Sequence, residues 1–337
     1  MYENIRGGRG LTTGRYGRNN RRRCRKSARS GRLVLCVFIE ILAVTALILM
    51  IGWNRGIGDW MRKVTRPTVK ELDISGICSP NAVLMQAKGG KILGEINSEE
   101  QIYPASMTKM MTVLVAIEEL KDLNQEILLT DEIFAGLVEE DATQAGFQSG
   151  ERVTVRDLLY GAMLPSGAEC CRALANAAGG SKEGFVELMN KKAEKLGMEN
   201  TQFRDTTGLH DPEHYSSVKD MAILLKAGLR NDIFREVITS PAHSTAVTNL
   251  HPEGITFYST MFKGMGDTRV TGGEILGGKT GFTSQAGHCL ASFAEIDGRE
   301  YILVTAGAQG ETEHFQDAGT IYNRLGEAAL ALEERTE

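Results

Sequence analysis

The longest apolar stretch of the chain runs from Leu33 to Trp53 and contains one charged residue, Glu40. Its length matches the roughly 20 residues that an α-helix needs to cross about 30 Å of hydrocarbon. The stretch therefore predicts a transmembrane signal-anchor helix, with the lipid bilayer as a partner of residues 33–53. A buried core helix and a cleaved signal peptide stay open as alternatives, although no A-x-A-like cleavage site follows.

A basic tail precedes this stretch. Residues 1–32 carry eleven Lys and Arg residues and one Glu, which leaves 27 basic and 42 acidic residues, a charge of −15, for the rest. The positive-inside rule then predicts a cytoplasmic tail at residues 1–32 and a single-pass protein whose later residues lie outside the cytoplasm. A nucleic-acid arm has a similar composition. The adjacent membrane stretch favours contact with anionic lipids instead, so no nucleic-acid partner is expected.

The pattern of apolar and polar residues changes twice after residue 80. Short β-type runs at residues 82–86 and 91–96 surround Gly89-Gly90, and apolar residues then recur at helical spacing. Helices are predicted at residues 107–120, 155–163, 169–178, 185–196, 216–229 and 313–333. Strand-like runs return at residues 275–284, 288–296 and 299–308, and Asp297-Gly298 between the last two favours a hairpin.

Strands at both ends with helices between them predict an α+β fold. We expect an antiparallel sheet assembled from both ends of the domain and packed against a helical region. This domain is predicted to span residues 81–335, after a juxtamembrane linker at residues 54–80. Hydrophobic and charged fractions of 42% and 24% are ordinary for a globular protein and exclude wholesale disorder.

The cysteines give no sign of a metal site. No C-x-x-C pair or Cys/His spacing of the zinc type occurs, so neither a metal nor a cofactor is expected. Four cysteines follow the apolar stretch, and their three possible pairings stay open. They are interpreted as small core residues: Cys78, Cys170, Cys171 and Cys289.

Candidate chemistry starts at Ser106 and Lys109, which stand one helical turn apart just after Pro104. A serine hydroxyl needs a nearby base to become a nucleophile, and burial can lower the pKa of a lysine enough for that role. A helix-capping serine beside a surface lysine would have the same spacing. The pair Ser216 and Lys219 repeats the spacing and is interpreted as an ordinary helix start.

Two further motifs make the nucleophile interpretation the better one. Ser166 lies in LPSGAE, at a turn between two predicted helices. Lys279, Thr280 and Gly281 lie on a predicted strand in GGKTGFTSQAG, where glycines let a ligand approach the backbone. Each motif is weak alone, but the order S-x-x-K, S-x-x, K-T-G is the signature of serine penicillin-recognising enzymes.

From Ala82 to the C-terminal helix the sequence resembles the serine-type D-alanyl-D-alanine carboxypeptidases, the low-molecular-mass penicillin-binding proteins. YPASMTKMMT, GFVELMNKKAEKLGMENTQFRDTTGLHD and KTGFTSQAGHCLAS carry the resemblance. It implies a β-lactamase/penicillin-binding-protein-like transpeptidase fold and no cofactor. It also implies a peptidoglycan stem peptide ending in D-Ala-D-Ala as substrate, and β-lactam antibiotics as covalent inhibitors.

The resemblance also implies a role for each motif residue. Ser106 would be acylated, with Lys109 as its general base, and Ser166 would pass a proton to the leaving D-alanine. Lys279 and Thr280 would hold the substrate's terminal carboxylate. The oxyanion hole would be the backbone N–H groups of Ser106 and of Phe282, which follows Gly281.

Two positions depart from the family pattern. Ala168 stands where the S-x-N motif has its asparagine, and we hypothesise that Glu169 or a water replaces the missing amide. His314 stands where the family commonly has an arginine near the carboxylate site, so weaker or pH-dependent carboxylate recognition is expected.

Two other functions are weighed against the carboxypeptidase. A class A-like β-lactamase commonly deacylates with a glutamate in an E-x-x-L-N motif, and no such motif occurs. A catalytically impaired module that only binds penicillin or cell wall is suggested by Ala168. The intact residues Ser106, Lys109, Ser166 and Lys279 argue against it, because binding alone needs no acylation machinery.

Overall fold

The computed structural model describes Thr45 and residues 68–334. The predicted cytoplasmic tail and transmembrane helix, residues 1–32 and 33–53, lie outside the described residues apart from Thr45. No helix in the described part of the chain combines the length and the apolar character that a membrane span requires. Residues 67–337 form one compact unit.

Ten strands and the helices between them make up this unit. The strands are β1 (Asn81–Gln86), β2 (Ile92–Ile96), β3 (Glu126–Leu128), β4 (Arg152–Thr154), β5 (Ala242–Ser244), β6 (Thr256–Tyr258), β7 (Arg269–Val270), β8 (Gly273–Thr283), β9 (Gly287–Ile296) and β10 (Arg299–Ala308). The helices are α1 (Lys109–Glu119), α2 (Asp131–Phe134), α3 (Val155–Met163), α4 (Ala168–Gly179), α5 (Lys182–Leu196), α6 (Val218–Gly228), α7 (Asp232–Thr239), α8 (Thr260–Met265) and α9 (Glu313–Glu334), and a 3-10 turn at Ala105–Thr108 precedes α1.

The main sheet has six strands in the order β2-β1-β10-β9-β8-β7, and its pairs are antiparallel. The first strand of the domain, β1, therefore pairs with β2 on one side and with the last strand, β10, on the other, which confirms a sheet built from both ends of the domain. Asp297 and Gly298 both have positive φ, +51° and +68°, as a two-residue hairpin turn of the type I′ requires. The hairpin predicted at this dipeptide is confirmed.

Both faces of the sheet are buried. On β1, Val83 and Met85 belong to one apolar core and Ala82 and Leu84 to another, as the two-residue side-chain period of a strand dictates. The first core contains residues of α1 and α3–α7, and the second contains residues of α9. The continuous apolar run AVLM at residues 82–85 is therefore explained by helices on both sides, which is the predicted α+β arrangement.

Several helix ends follow local sequence signals. The Thr154 side chain accepts a hydrogen bond from the backbone N–H of Asp157 and so caps α3, a role for which threonine is well suited. Gly180 and Gly197, just past α4 and α5, adopt left-handed φ values of +72° and +77°. Side chains with a Cβ rarely adopt this conformation, which explains why both helices end at glycine.

Part of the predicted linker is packed rather than free. Val69 and Ile74 are 4% and 3% exposed within the second core, and the N–H of Leu72 donates to the Leu93 carbonyl at 2.7 Å. The segment from residue 68 to residue 80 therefore lies against β2. Sequence patterns also missed two ribbons, β3–β4 and β5–β6, because three-residue strands are too short to show a period.

Candidate active site

The predicted nucleophile lies at the junction of the 3-10 turn and α1. Pro104 precedes the turn, and its carbonyl accepts from the N–H of Met107 at 3.0 Å. Ala105 has a φ of +46°, which is uncommon for a residue with a side chain. The turn places Ser106 one helical turn before Lys109, the first residue of α1.

Lys109 is buried beside Ser106. Its Nζ lies 2.9 Å from Ser106 Oγ and donates a 2.7 Å hydrogen bond to the Thr207 carbonyl. Burial lowers the pKa of the Lys109 ammonium, and the opposing effects of Cys171, Asp205 and Glu169 do not reverse this shift. A lysine with a lowered pKa next to a serine hydroxyl can accept the hydroxyl proton.

A second lysine is buried nearby. Lys279 on β8 is 1% exposed, and its Nζ donates to the Thr280 carbonyl at 3.0 Å. Its pKa is lowered well below the usual range by burial and by repulsion from Lys109. Because repulsion between two cations is mutual, Lys279 also disfavours the charged form of Lys109.

Strand β8 runs past the nucleophile. A Cβ at Gly281 would lie 3.2 Å from the backbone nitrogen of Ser106 and 3.1 Å from the Pro104 carbonyl oxygen, so a larger residue would press on the turn. Among the described residues β7 pairs with β8 at Gly273 and Glu274. The K-T-G segment of β8 therefore forms an edge beside the predicted nucleophile.

Ser166 lies at the turn between α3 and α4. It has a left-handed φ of +72°, is 6% exposed, and its Oγ has no hydrogen-bond partner among the described residues. Such a conformation is costly for a residue with a side chain and is often found at functional sites. Ser166 therefore keeps an unused hydroxyl at the turn between these two helices.

Glu169 does not contact Lys109, the contact that the hypothesis about the missing amide would require. Its Oε1 accepts from the N–H groups of Ala145 and Gly146 at 2.6 and 3.0 Å, and its Oε2 has no described partner. Burial raises the pKa of Glu169, against the effect of these backbone donors. One carboxylate oxygen is therefore committed to a neighbouring loop.

An aromatic column lies at the other end of the K-T-G segment. The rings of Phe282 and His288 stack at 4.3 Å, those of His288 and His314 at 5.2 Å, and His314 contacts Phe315 at 3.9 Å. His314 is 3% exposed, and its Nδ1 has no described partner. Burial, helped by His288, lowers the pKa of His314 to about 4, so the imidazole is neutral at pH 7.

These elements surround one cleft of about 710 Å³. Six of the seven predicted site residues line it, and Lys279 is instead buried. The six are Ser106, Lys109, Ser166, Thr280, Gly281 and Phe282. Thr260 also lines the cleft and bonds Thr280 through their hydroxyls at 2.7 Å, a contact that no sequence motif indicated.

The second S-x-x-K pair is a helix start, as predicted. The Ser217 side chain caps α6 by accepting from the Asp220 N–H, while the fully buried Ser216 bonds the Thr201 hydroxyl at 2.8 Å. Lys219 pairs with Glu99 and not with Ser216. Identical spacing therefore gives a different environment, because the second lysine is not buried beside its serine.

A sheet packed between helices, with a serine and a buried lysine one turn apart and facing a second lysine on a strand, defines the class of serine DD-peptidases. Comparison with solved structures agrees. A mutant of the Streptomyces K15 DD-transpeptidase superposes with a TM-score of 0.68 at 26% identity, covering 75% of this chain and 98% of that chain. The predicted penicillin-binding/DD-peptidase fold is thereby confirmed.

The family model for D-alanyl-D-alanine carboxypeptidase, peptidase S11, matches residues 67–310, and the chain belongs to this family. It is 34% identical over 248 residues to the D-alanyl-D-alanine carboxypeptidase DacF of Bacillus subtilis, covering 69% of this chain. It is also 34% identical over 250 residues to DacC of Escherichia coli, covering 70%. The matched region spans 58% of each of these two relatives.

Proposed function

We propose that the protein is a membrane-anchored serine D,D-carboxypeptidase that removes the terminal D-alanine from peptidoglycan stem pentapeptides. The observation that carries the proposal is the 2.9 Å approach of Ser106 Oγ to the buried Lys109 Nζ at the wall of the cleft. Family membership and the named relatives support the substrate class.

Acylation begins with proton transfer from Ser106 to neutral Lys109. The hydroxyl oxygen attacks the carbonyl carbon between the two D-alanines, and its proton passes to Nζ. Collapse of the tetrahedral intermediate breaks the peptide bond, and the leaving amine takes a proton through Ser166. The unpartnered Ser166 Oγ at the cleft wall supports this relay role.

The negative charge formed in that intermediate needs preorganised donors. We assign them to the backbone N–H groups of Ser106 and Phe282, which belong to the nucleophile turn and to the adjacent β8 edge. The close packing of Gly281 against the Ser106 nitrogen supports this assignment. Water then hydrolyses the acyl-enzyme, releasing the shortened peptide and restoring Ser106.

Substrate orientation is assigned to the K-T-G segment. Thr280, held by the Thr260 hydroxyl, would bond the terminal carboxylate, and the protonated form of Lys279 would attract it. Neutral His314 supplies no cation at pH 7. Carboxylate recognition is therefore expected to depend on Lys279 and Thr280 more than on His314.

A β-lactamase is the less favoured alternative. The described hydrogen-bond partners of Lys109 Nζ are a hydroxyl and a carbonyl, and Glu169 is bound to the loop at Ala145 and Gly146. Glu169 is therefore engaged away from the base, and the sequence lacks the E-x-x-L-N motif that carries a deacylating glutamate. We expect penicillins to form a long-lived adduct rather than to be turned over.

The membrane assignment is also a proposal. It rests on the apolar residues 33–53 and the basic residues 1–32, with the domain at 81–335 placed outside the cytoplasm. We expect the full chain to stay in the membrane fraction after a carbonate wash and its domain to be digested by external protease in spheroplasts. Release by carbonate, or protection from protease, would count against this topology.

Intact-mass measurement after incubation with a penicillin tests the chemistry. The full chain should gain the mass of one penicillin, and Ser106→Ala should gain none. Ser216→Ala is the matched control, because it removes the serine of the other S-x-x-K pair, and it should be acylated like the wild type.

Release of D-alanine from a peptide ending in D-Ala-D-Ala then separates the functions. Release by the wild type and not by Ser106→Ala supports the carboxypeptidase. An adduct without D-alanine release would favour the binding module, and an adduct that disappears within seconds would favour the β-lactamase. Absence of any adduct would refute the acyl-transfer mechanism.

A further inference from the structure

A short loop, residues 204–208, lies against the nucleophile turn and the start of α1. The Thr206 carbonyl accepts from the Thr112 hydroxyl at 2.6 Å, and the Thr207 carbonyl accepts from Lys109 Nζ at 2.7 Å. Gly208 has a φ of +84°, and a Cβ there would lie 1.8 Å from the Ala105 carbonyl oxygen. We call this segment the carbonyl loop, because its carbonyls face α1.

Asp205 shapes the carbonyl loop from inside. Its Oδ1 accepts from the N–H groups of Thr207 and Gly208 at 2.6 and 2.9 Å and from the Thr207 hydroxyl. Its Oδ2 pairs with Lys182 at 3.4 Å. These bonds hold the pKa of Asp205 below its usual range in spite of burial. The direction of the Thr207 carbonyl is therefore set by a buried carboxylate.

His214 joins the carbonyl loop to the nucleophile turn. Its Nδ1 accepts from the N–H groups of Arg204 and Asp205, both at 3.1 Å, so Nδ1 carries no proton. The neutral imidazole therefore has its proton on Nε2, which donates to the Thr108 hydroxyl at 2.8 Å. Thr108 immediately precedes Lys109. His214 is 2% exposed, which leaves the ring little freedom to move.

We propose that His214 and Asp205 are positioning residues for Lys109: they hold the Thr207 carbonyl so that the lysine lone pair is directed at Ser106. The proposal deepens the proposed function and rests on it. Neither residue touches Ser106 or a substrate, so both act through the carbonyl loop.

The reason lies in the geometry of an amine. A neutral lysine has two N–H bonds and one lone pair, and a general base must present the lone pair to the serine hydroxyl. A free side chain rotates about its last bond and loses this alignment. The Thr207 carbonyl takes one N–H, which restricts the rotation and leaves the lone pair available to Ser106. Misplacement by about 1 Å can cost about 100-fold in rate.

Burial keeps the His214 ring neutral, against the effect of nearby carboxylates. Burial lowers the pKa of His214 to about 4, although Asp205 and Asp211 act in the opposite direction. Lys182 at the start of α5 and His210, just after the carbonyl loop, lower the pKa of His214 further. Lys109 is the titratable group on α1 next to this loop. Protonation of Nδ1 would remove its acceptor role and release the Arg204 and Asp205 N–H groups.

Acylation by a fluorescent penicillin and release of D-alanine test the proposal in the full chain. His214→Phe keeps a ring of similar size and removes both nitrogens. We expect its kcat and acylation rate to fall 10- to 100-fold with KM within threefold of the wild type, because the lost function is alignment of the base. His214→Asn retains an acceptor near the Nδ1 position and should recover at least fivefold over His214→Phe.

His251→Phe is the matched control. His251 is likewise a hydrogen-bonded imidazole, but it is only partly buried, bonds the Glu151 carboxylate at 2.8 Å and belongs to the connection between β5 and β6. Its replacement should leave kcat unchanged. If His214→Phe does not fold, Thr108→Val removes the other end of the same bond and should lower kcat at least threefold.

The outcomes separate this inference from the proposed function. A wild-type chain that neither acylates nor releases D-alanine overturns both. An active wild type whose folded His214→Phe variant keeps its kcat within threefold overturns the positioning role alone. The positioning role is also overturned if KM changes as much as kcat, or if His214→Asn recovers nothing.

Discussion

His314 allows a sharp test of how the cleft recognises a carboxylate. Its imidazole is 3% exposed at the cleft wall, stacks on His288, and has a pKa lowered to about 4 by burial. At pH 7 about one imidazole in a thousand then carries a charge, since each pH unit above the pKa reduces the charged fraction tenfold. His314→Gln should therefore leave KM within threefold of the wild type at pH 7.

His314→Arg tests the same argument from the opposite side. A guanidinium is always charged, and a hydrogen bond to a charged group contributes about 1.5–3 kcal/mol. This corresponds to a decrease of roughly 10- to 150-fold in KM for a substrate with a free terminal carboxylate. Asp317 follows His314 by three residues on α9, and its carboxylate would attract a cation at position 314. Its oxygens accept from the N–H groups of Cys78 and Ser79, which hold it in place. This attraction limits the repulsion that the new guanidinium would meet.

Steady-state release of D-alanine at pH 7 measures both variants, and a peptide whose terminal carboxyl is amidated is the control. KM for the amidated peptide should be the same in His314→Arg and the wild type. A rise of tenfold or more in KM on His314→Gln would refute the reasoning, because it would mean that the wild-type imidazole contributes a charge. An unchanged KM in His314→Arg would show that the carboxylate does not reach this end of the cleft.

Three further predictions concern buried groups. The pKa of His214 is lowered from 6.5 to about 4, so the native state binds fewer protons than the unfolded state between these values, and stability falls as pH falls through this window. Between pH 7 and pH 5 the wild type should lose about 2 kcal/mol more unfolding free energy than His214→Gln in guanidinium titrations; equal losses would contradict the lowered pKa. Gly208→Ala should lower the acylation rate at least tenfold, because the new Cβ would lie 1.8 Å from the Ala105 carbonyl oxygen. Gly150 also has a positive φ, but a Cβ there would meet nothing within 4 Å, so Gly150→Ala should be acylated at the wild-type rate. Iodoacetamide at pH 8 should label Cys78 in the native chain, because this cysteine is exposed. It should not label Cys170, Cys171 or Cys289, because burial excludes the reagent and raises the pKa of these thiols. Peptide mass mapping that finds a label on any of these three would contradict their burial.

Local signals in the sequence were sufficient for much of the fold. The dipeptide Asp297-Gly298 has the predicted hairpin conformation, and the cap at Thr154 and the glycines after α4 and α5 likewise act within a few residues of themselves. Apolar periodicity located the long helices and strands for the same reason. It failed for β3–β6 and for the packed half of the predicted linker, where the elements are short or are stabilised by contacts from distant residues.

In the candidate site, too, some features follow from local sequence and others depend on tertiary packing. The spacing of Ser106 and Lys109 is a property of one helical turn, so the sequence alone determined that the two side chains could meet, and motif order indicated which strand would face them. Whether Lys109 is buried was not local, since Ser216 and Lys219 have the same spacing without the burial. The tertiary structure decided that difference.

Tertiary structure also decided what surrounds the base. The Thr207 carbonyl reaches Lys109 across a separation of 98 residues, and His214 reaches Thr108 across 106. Glu169, which with a water was one of two hypothesised replacements for the missing amide, bonds a loop more than twenty residues earlier. Desolvation and such contacts depend on how whole elements pack, which no spacing along the chain encodes. The sequence by itself therefore determined the proposed reacting groups, and only the packed chain decided the pKa and the orientation with which they could react.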